Sequence, residues 1–220
     1  MDVPEGPDRP MKTRFLKIDR ESLGLAELRL ISGVLRNDGV MVCPTETFYG
    51  LGVLAFSENA VKKVYRLKER ELGKPLSVVI ADIAMAEEIA AVLPPLFWTF
   101  SREFWPGPLT LVVKARPLFP KEMLGPGGSL AMRIPDAPWL RDLIRHLNAP
   151  ITATSANLSG TGEISRPEDI IEIFKGKVDL IIDGGRTAGG LPSTIVDLAS
   201  DQPRLLRAGA VPLSRLQKYL

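Results

Sequence analysis

The chain has 220 residues, 45% apolar and 25% charged, which suits one soluble α/β-sized domain or at most two small ones. Lys plus Arg (28) nearly cancel Asp plus Glu (26), so bulk charge does not mark a nucleic-acid binder and any basic site must be local. One cysteine (Cys43) and one histidine (His146) exclude an intramolecular disulfide, and argue against structural zinc and Ser-His-Asp chemistry.

Residues 1–12 (MDVPEGPDRPMK) read as a loose proline-rich arm without the apolar core of a signal peptide. No apolar run approaches membrane-spanning length, so the expected location is the cytoplasm. From Ser22 the spacing turns helical, with Leu23, Ala26, Leu30, Ile31, Val34 and Leu35 on one face and Asn37-Asp38-Gly39 as the stop. Val40 to Cys43 reads as a buried strand ending at Pro44, and the following TETFYGLG as a loop whose glycines allow close approach to a ligand. Ser57 can cap a helix with Ala60, Val61, Val64 and Tyr65 inward. A strand over 76–81 follows, then a helix capped by Asp82 and another over 96–104, stopped by Trp105-Pro106-Gly107-Pro108. Strands are expected over 109–114, 130–134, 151–154, 178–182, 194–198 and 204–207, and helices over 139–147, 168–174 and 213–219. His146 falls on the polar side of its helix and reads as a surface residue. Alternation without repeats or a long linker points to a single α/β domain with a mixed sheet, over 13–220.

Four stretches carry candidate chemistry. KERELGKP sets Lys68, Arg70 and Lys74 at a helix exit. One cation ~4 Å from an anion is worth ~4 kcal/mol at an effective dielectric of about 20. Lys68 and Arg70 share no helix face but align in the extended or turning chain after the helix end; on local grounds alone a solvated helix end is the favoured reading. Lys74 reads as a neighbour that neutralises Glu69 and Glu71. ITATSANLSG brings Ser155 and Asn157, short donors and acceptors fit for phosphate or an amino acid, or a serine-rich turn. CPTETFYGLG is neither a dinucleotide fingerprint nor a phosphate loop, and no GxxxxGK[ST] occurs. The glycine-rich segment 183–191 is either a lid or a surface loop. The C-terminal end concentrates Arg204, Arg207, Arg215 and Lys218 with no acid after Asp201.

Together PTETFYGLG, KERELGKPLSV, FWPGPLTLVV, AMRIP, SAN, PSTIVDL and LLRAGA resemble the YrdC-like threonylcarbamoyl-adenylate synthases, from about Ser22 to Leu220. The most specific element is KxR with SxN, here Lys68/Arg70 and Ser155/Asn157. The resemblance implies a twisted mixed sheet around a large, positively charged cavity, in a short, single-domain form. It implies synthesis of threonylcarbamoyl-AMP and pyrophosphate from L-threonine, bicarbonate or CO2, and ATP. Mg²⁺ is expected to ride on the phosphates, with no protein metal site. A separate transferase complex would then modify the adenosine beside the tRNA anticodon. Carried over by motif, Lys68, Arg70, Ser155 and Asn157 hold the ATP phosphates, and Ser129, Arg207, Leu72 and Ser165 line the ATP side. Thr45, Ser77, Arg133 and Ser193 surround threonine, with Arg133 on its carboxylate; Ala153 is counted on both sides. The alternatives are an RNA-binding module of this fold, with weak RNA affinity, and a paralogue with another carbamoyl or nucleotide reaction.

Overall fold

The computed structural model describes residues 12–71, 73–157 and 162–220. The expected arm, apart from Lys12, and Leu72 lie outside the described residues. In chain order β1 (Arg14–Lys17), α1 (Leu25–Arg36), β2 (Met41–Pro44), β3 (Tyr49–Gly52) and α2 (Glu58–Leu67) come first. Next are β4 (Val78–Val79), α3 (Ile83–Ile89), β5 (Ala90–Val92), α4 (Pro95–Phe104), β6 (Leu109–Ala115) and β7 (Ser129–Arg133). Then follow α5 (Pro138–Leu147), β8 (Ile151–Thr152), β9 (Thr154–Ser155), α6 (Pro167–Phe174), β10 (Leu180–Asp183), β11 (Thr194–Asp197), β12 (Arg204–Arg207) and α7 (Leu213–Leu216).

Local chemistry explains the helix ends. Ser57 Oγ accepts the Ala60 N–H at 3.2 Å and Asp82 Oδ1 the Met85 N–H at 3.1 Å, the two expected caps. The first helix begins later than Ser22, because the Glu27 carboxylate reaches back to the Gly24 N–H at 2.6 Å and fixes the start there. Ala26 is consequently exposed, while Ile31, Val34 and Leu35 are buried. Its end is the expected one: Asp38 takes a left-handed φ of 56° and the Gly39 N–H returns to the Val34 carbonyl. α7 stops at Leu216, short of the expected 219.

The α/β class holds, but the mixed strands make two sheets rather than one. The first runs β1-β10-β2-β3-β9, the second β12-β11-β6-β7-β4-β8, with β5 on β6. The expected strand over 151–154 divides at Ala153: Thr152 pairs with Val78 of β4, and Thr154 with Leu51 of β3. One short segment thus supplies an edge to each sheet. β3, expected as a loop, is a fully buried strand. Gly52 serves strand packing, since a Cβ there would stand 2.7 Å from Met41 Cε and 3.0 Å from Ile151 Cγ2. β1 and β5 were not expected. β1 is a short, mostly exposed edge strand, recognisable chiefly from its partner β10.

A single core joins the layers. Trp139, Leu140, Leu143 and Ile144 of α5 are buried in it together with Val61, Val64 and Tyr65 of α2 and Phe97 and Phe100 of α4. Each such side chain contributes about 1.5–3 kcal/mol by burial. Cys43 is buried, and desolvation pushes its thiol up to about 12, so it is a packing residue. His146 is exposed, as expected.

Candidate active site

Residues of both sheets line a cavity of about 410 Å³, within the ~300–1,000 Å³ typical of small-molecule sites. The expected site residues Thr45, Arg70, Ser77, Ser129 and Arg133 line it, as do Ala153, Ser155, Ser193 and Arg207. Among the described residues, Glu163 is the one acidic side chain in that lining. Lys68 and Asn157, 2% and 8% exposed, lie behind the wall. Ser165 is set apart: its carbonyl receives the Thr187 N–H at 3.0 Å.

A turn at the helix end, one of the two conformations expected there, orients Lys68 and Arg70 rather than a shared helix face. Lys68 caps α2, and Glu69 takes a left-handed φ of 49°. The Glu69 N–H then bonds to the Arg66 carbonyl at 3.1 Å and the Arg70 N–H to that of Tyr65 at 3.0 Å, the paired bonds of a Schellman ending. This reversal sends Lys68 inward and lays Arg70 along the cavity. Arg70 donates to the carbonyls of Lys74 (3.3 Å) and Pro75 (3.1 Å). Lys74 pairs with Glu71 at 3.0 Å, the neutralising role expected for it.

Among the described residues, Lys68 Nζ donates to the Ser155 carbonyl (2.5 Å), the Asn157 carbonyl (2.8 Å) and Asn157 Oδ1 (2.9 Å). Ser155 Oγ also donates to Asn157 Oδ1, at 2.7 Å. The two halves of the KxR/SxN element are therefore in direct contact. Burial, with Arg70 adding to it and Glu163 opposing, draws the Lys68 ammonium down to about 8. Burial raises the Glu163 carboxyl, against the pull of Arg207 and then Lys68.

At the expected threonine side, Thr45 closes the β2–β3 turn: its N–H and Oγ1 donate to the Phe48 carbonyl at 3.0 and 2.8 Å. Ser77 Oγ donates to the Ala153 carbonyl at 2.6 Å. Ser193 is held by Arg207, whose Nη2 reaches its carbonyl at 2.7 Å and its Oγ at 3.0 Å. Arg133 pairs with Glu46. Burial, and then Arg207, pull its guanidinium down to about 10, so it remains charged at neutral pH.

Sequence reasoning assigned no role to Glu46, Glu163 or Thr110. Thr110 is 2% exposed, and its hydroxyl lies 2.9 Å from that of Ser193. The one signal for it was a hydroxyl in the otherwise apolar LTLVV. The C-terminal cations are dispersed rather than concentrated. Arg204 pairs with Asp197, Arg215 and Lys218 approach Glu103, and Arg207 serves the cavity. Segment 183–191 is pinned down: Tyr49 OH donates to the Gly185 carbonyl and the Gly189 N–H to that of Thr47, both at 2.8 Å.

The family model Sua5_yciO_yrdC, described as "Telomere recombination", matches residues 33–209. The threonylcarbamoyl-AMP synthase of Pyrococcus abyssi is 37% identical over 201 residues, covering 91% of this chain and 59% of its own length. The Bacillus subtilis threonylcarbamoyl-AMP synthase is 38% identical over 215 residues, covering 96% of this chain and 62% of its own length. This chain therefore spans about three fifths of each of those relatives. The crystal structure of P. abyssi Sua5 complexed with L-threonine superposes with a TM-score of 0.88 at 36% identity, covering 94% of this chain and 61% of that one.

Proposed function

This chain belongs to the Sua5–YciO–YrdC family, and on that premise we propose that it makes threonylcarbamoyl-AMP and pyrophosphate from L-threonine, bicarbonate or CO2, and ATP. The observation that carries the proposal is the convergence of Arg70, Arg133 and Arg207 on one cavity, with hydroxyls of Thr45, Ser77, Ser155 and Ser193 between them.

Arg133 takes the threonine carboxylate through its guanidinium fork. The threonine amine and bicarbonate condense to a carbamate with loss of water. A carbamate oxygen then attacks the α-phosphorus of ATP, and the bond to the bridging oxygen breaks to release pyrophosphate. Negative charge gathers on the phosphate oxygens, where Arg70, Arg207 and the Ser155 hydroxyl stabilise it. Lys68 fixes the Ser155–Asn157 wall and adds its charge from behind; at an effective dielectric of about 20 a charge ~8 Å away is still worth ~2 kcal/mol. Once the carbamate exists, no strong base is needed. Mg²⁺ would arrive on the triphosphate, held by its oxygens and by water, and Glu163 of the cavity lining would be the carboxylate able to meet its hydration shell. The adenylate is labile in water, so it passes to a transferase that modifies tRNA. RNA contact by this chain itself has weaker support in the near-neutral charge. Among the described residues no helix is long and apolar enough to cross a membrane; the cytoplasm is the proposed place of work.

The test is pyrophosphate release by the purified chain given ATP, bicarbonate and single amino acids. Release that requires both threonine and bicarbonate is expected. Its absence overturns the proposal.

A further inference from the structure

We propose that Glu46 is a positioning residue: it holds Arg133 by one corner, so that the rest of the guanidinium fork is presented to the carboxylate of the amino-acid substrate. The inference rests on the reading of Arg133 as carboxylate anchor.

Glu46 sits in the turn between β2 and β3, which Thr45 closes with its two bonds to the Phe48 carbonyl. Arg133 ends β7, a strand of the other sheet. The pair thus spans the two sheets at the cavity wall, with the side chains only 16% and 10% exposed. Contact is made through a single oxygen, Oε1, on a single nitrogen, Nη1. The other carboxylate oxygen, Oε2, is buried without a hydrogen-bond partner. Among the described residues Nε and Nη2 of Arg133 meet no protein acceptor, while Arg133 lines the cavity.

A pair built for stability would use both oxygens in a two-point fork, and a buried carboxylate oxygen left unpartnered works against stability. A one-point hold does what binding requires, because it fixes the guanidinium plane and leaves donors for a second carboxylate. Arg207 lies close enough to disfavour the charge on Arg133, so without Glu46 the guanidinium is free to swing away. A second carboxylate nearby also repels the substrate's own. Threonine binds as a zwitterion, however, so that repulsion is offset by attraction for its ammonium, and orientation decides the sign.

The experiment compares Glu46→Ala, Glu46→Gln and Arg133→Ala with the unaltered chain, reading threonine binding by calorimetry and the KM values and kcat by pyrophosphate release. Glu46→Ala is expected to weaken threonine binding about tenfold, with ATP KM and kcat within about twofold. Glu46→Gln keeps an acceptor and recovers most of the loss. Unchanged or tighter threonine binding in Glu46→Ala overturns the proposal, as does an equal weakening of threonine and ATP. Arg133→Ala separates the two readings. If it leaves threonine binding unchanged, the anchor reading fails; if it weakens binding while Glu46→Ala does not, the positioning role alone fails.

Discussion

The ammonium nitrogen of Lys68 stands 2.8 Å from the main-chain oxygen of Asn157 and 2.9 Å from its side-chain oxygen, across 89 positions of sequence. The lysine that resembles a phosphate ligand is thus also the post to which the Ser155–Asn157 wall is tied. Its substitution should do two separable things.

Lys68→Ala is expected to lower kcat/KM for ATP by at least about 100-fold, through lost charge and a loosened wall. Hydrogen exchange at the amides of 155–157 should quicken in the same variant, while the circular dichroism spectrum stays folded. Loss of turnover with unchanged exchange would show that the tie has no mechanical part.

The same group predicts a pH dependence. The acceptors around Nζ among the described residues suit a fully protonated ammonium, whose nitrogen only donates. A lysine is charged below its pKa, so kcat/KM for ATP should be flat below about 8 and fall as pH rises through it. Bound phosphates favour the ammonium, and the corresponding fall in kcat should come at higher pH. A kcat/KM profile level through that region would remove Lys68 from the titration.

Thr110→Val keeps the shape of the side chain and removes the hydroxyl beside Ser193. The expected cost is about 1 kcal/mol of stability, together with a rise of roughly three- to tenfold in threonine KM. Denaturant titration and steady-state kinetics measure the two. Unchanged kinetics would make the Thr110–Ser193 contact a core feature alone.

Gly209→Ala tests the wall from outside. A Cβ there would stand 2.2 Å from the Pro192 carbonyl oxygen and 2.7 Å from Ser193 C and Thr194 N. These are backbone atoms, with no flexible side chain to yield, so the strand entry carrying Ser193 must move. A loss of about 2–3 kcal/mol is expected, a melting point lower by roughly 5–10 °C, and weaker threonine binding.

Features set by neighbours in sequence were legible before the structure. Ser57 and Asp82 announce their helices because a cap and its N–H donor are three residues apart. The inner face of α2 follows from period alone. β3 was misread because YGLG looks like a turn until Met41 and Ile151 are seen to occupy the space where side chains would stand. The turn after α2 was hidden for a related reason: Glu69, not glycine, takes the left-handed position. In the site, motif resemblance pointed to nine of the residues that line the cavity and passed over the larger part of its wall. Glu46 escaped it, since its partner Arg133 is 87 residues away and nothing local marks the pair.

Ala153 joins β8 in one sheet to β9 in the other, and each of those strands is an edge. Peeling either sheet open therefore removes the border of its companion. Melting should accordingly be all-or-none, with calorimetric and van't Hoff enthalpies in agreement. The two walls of the cavity then share one fate: they cannot drift apart as separate bodies, and any breathing of the site must come from the loops at its mouth.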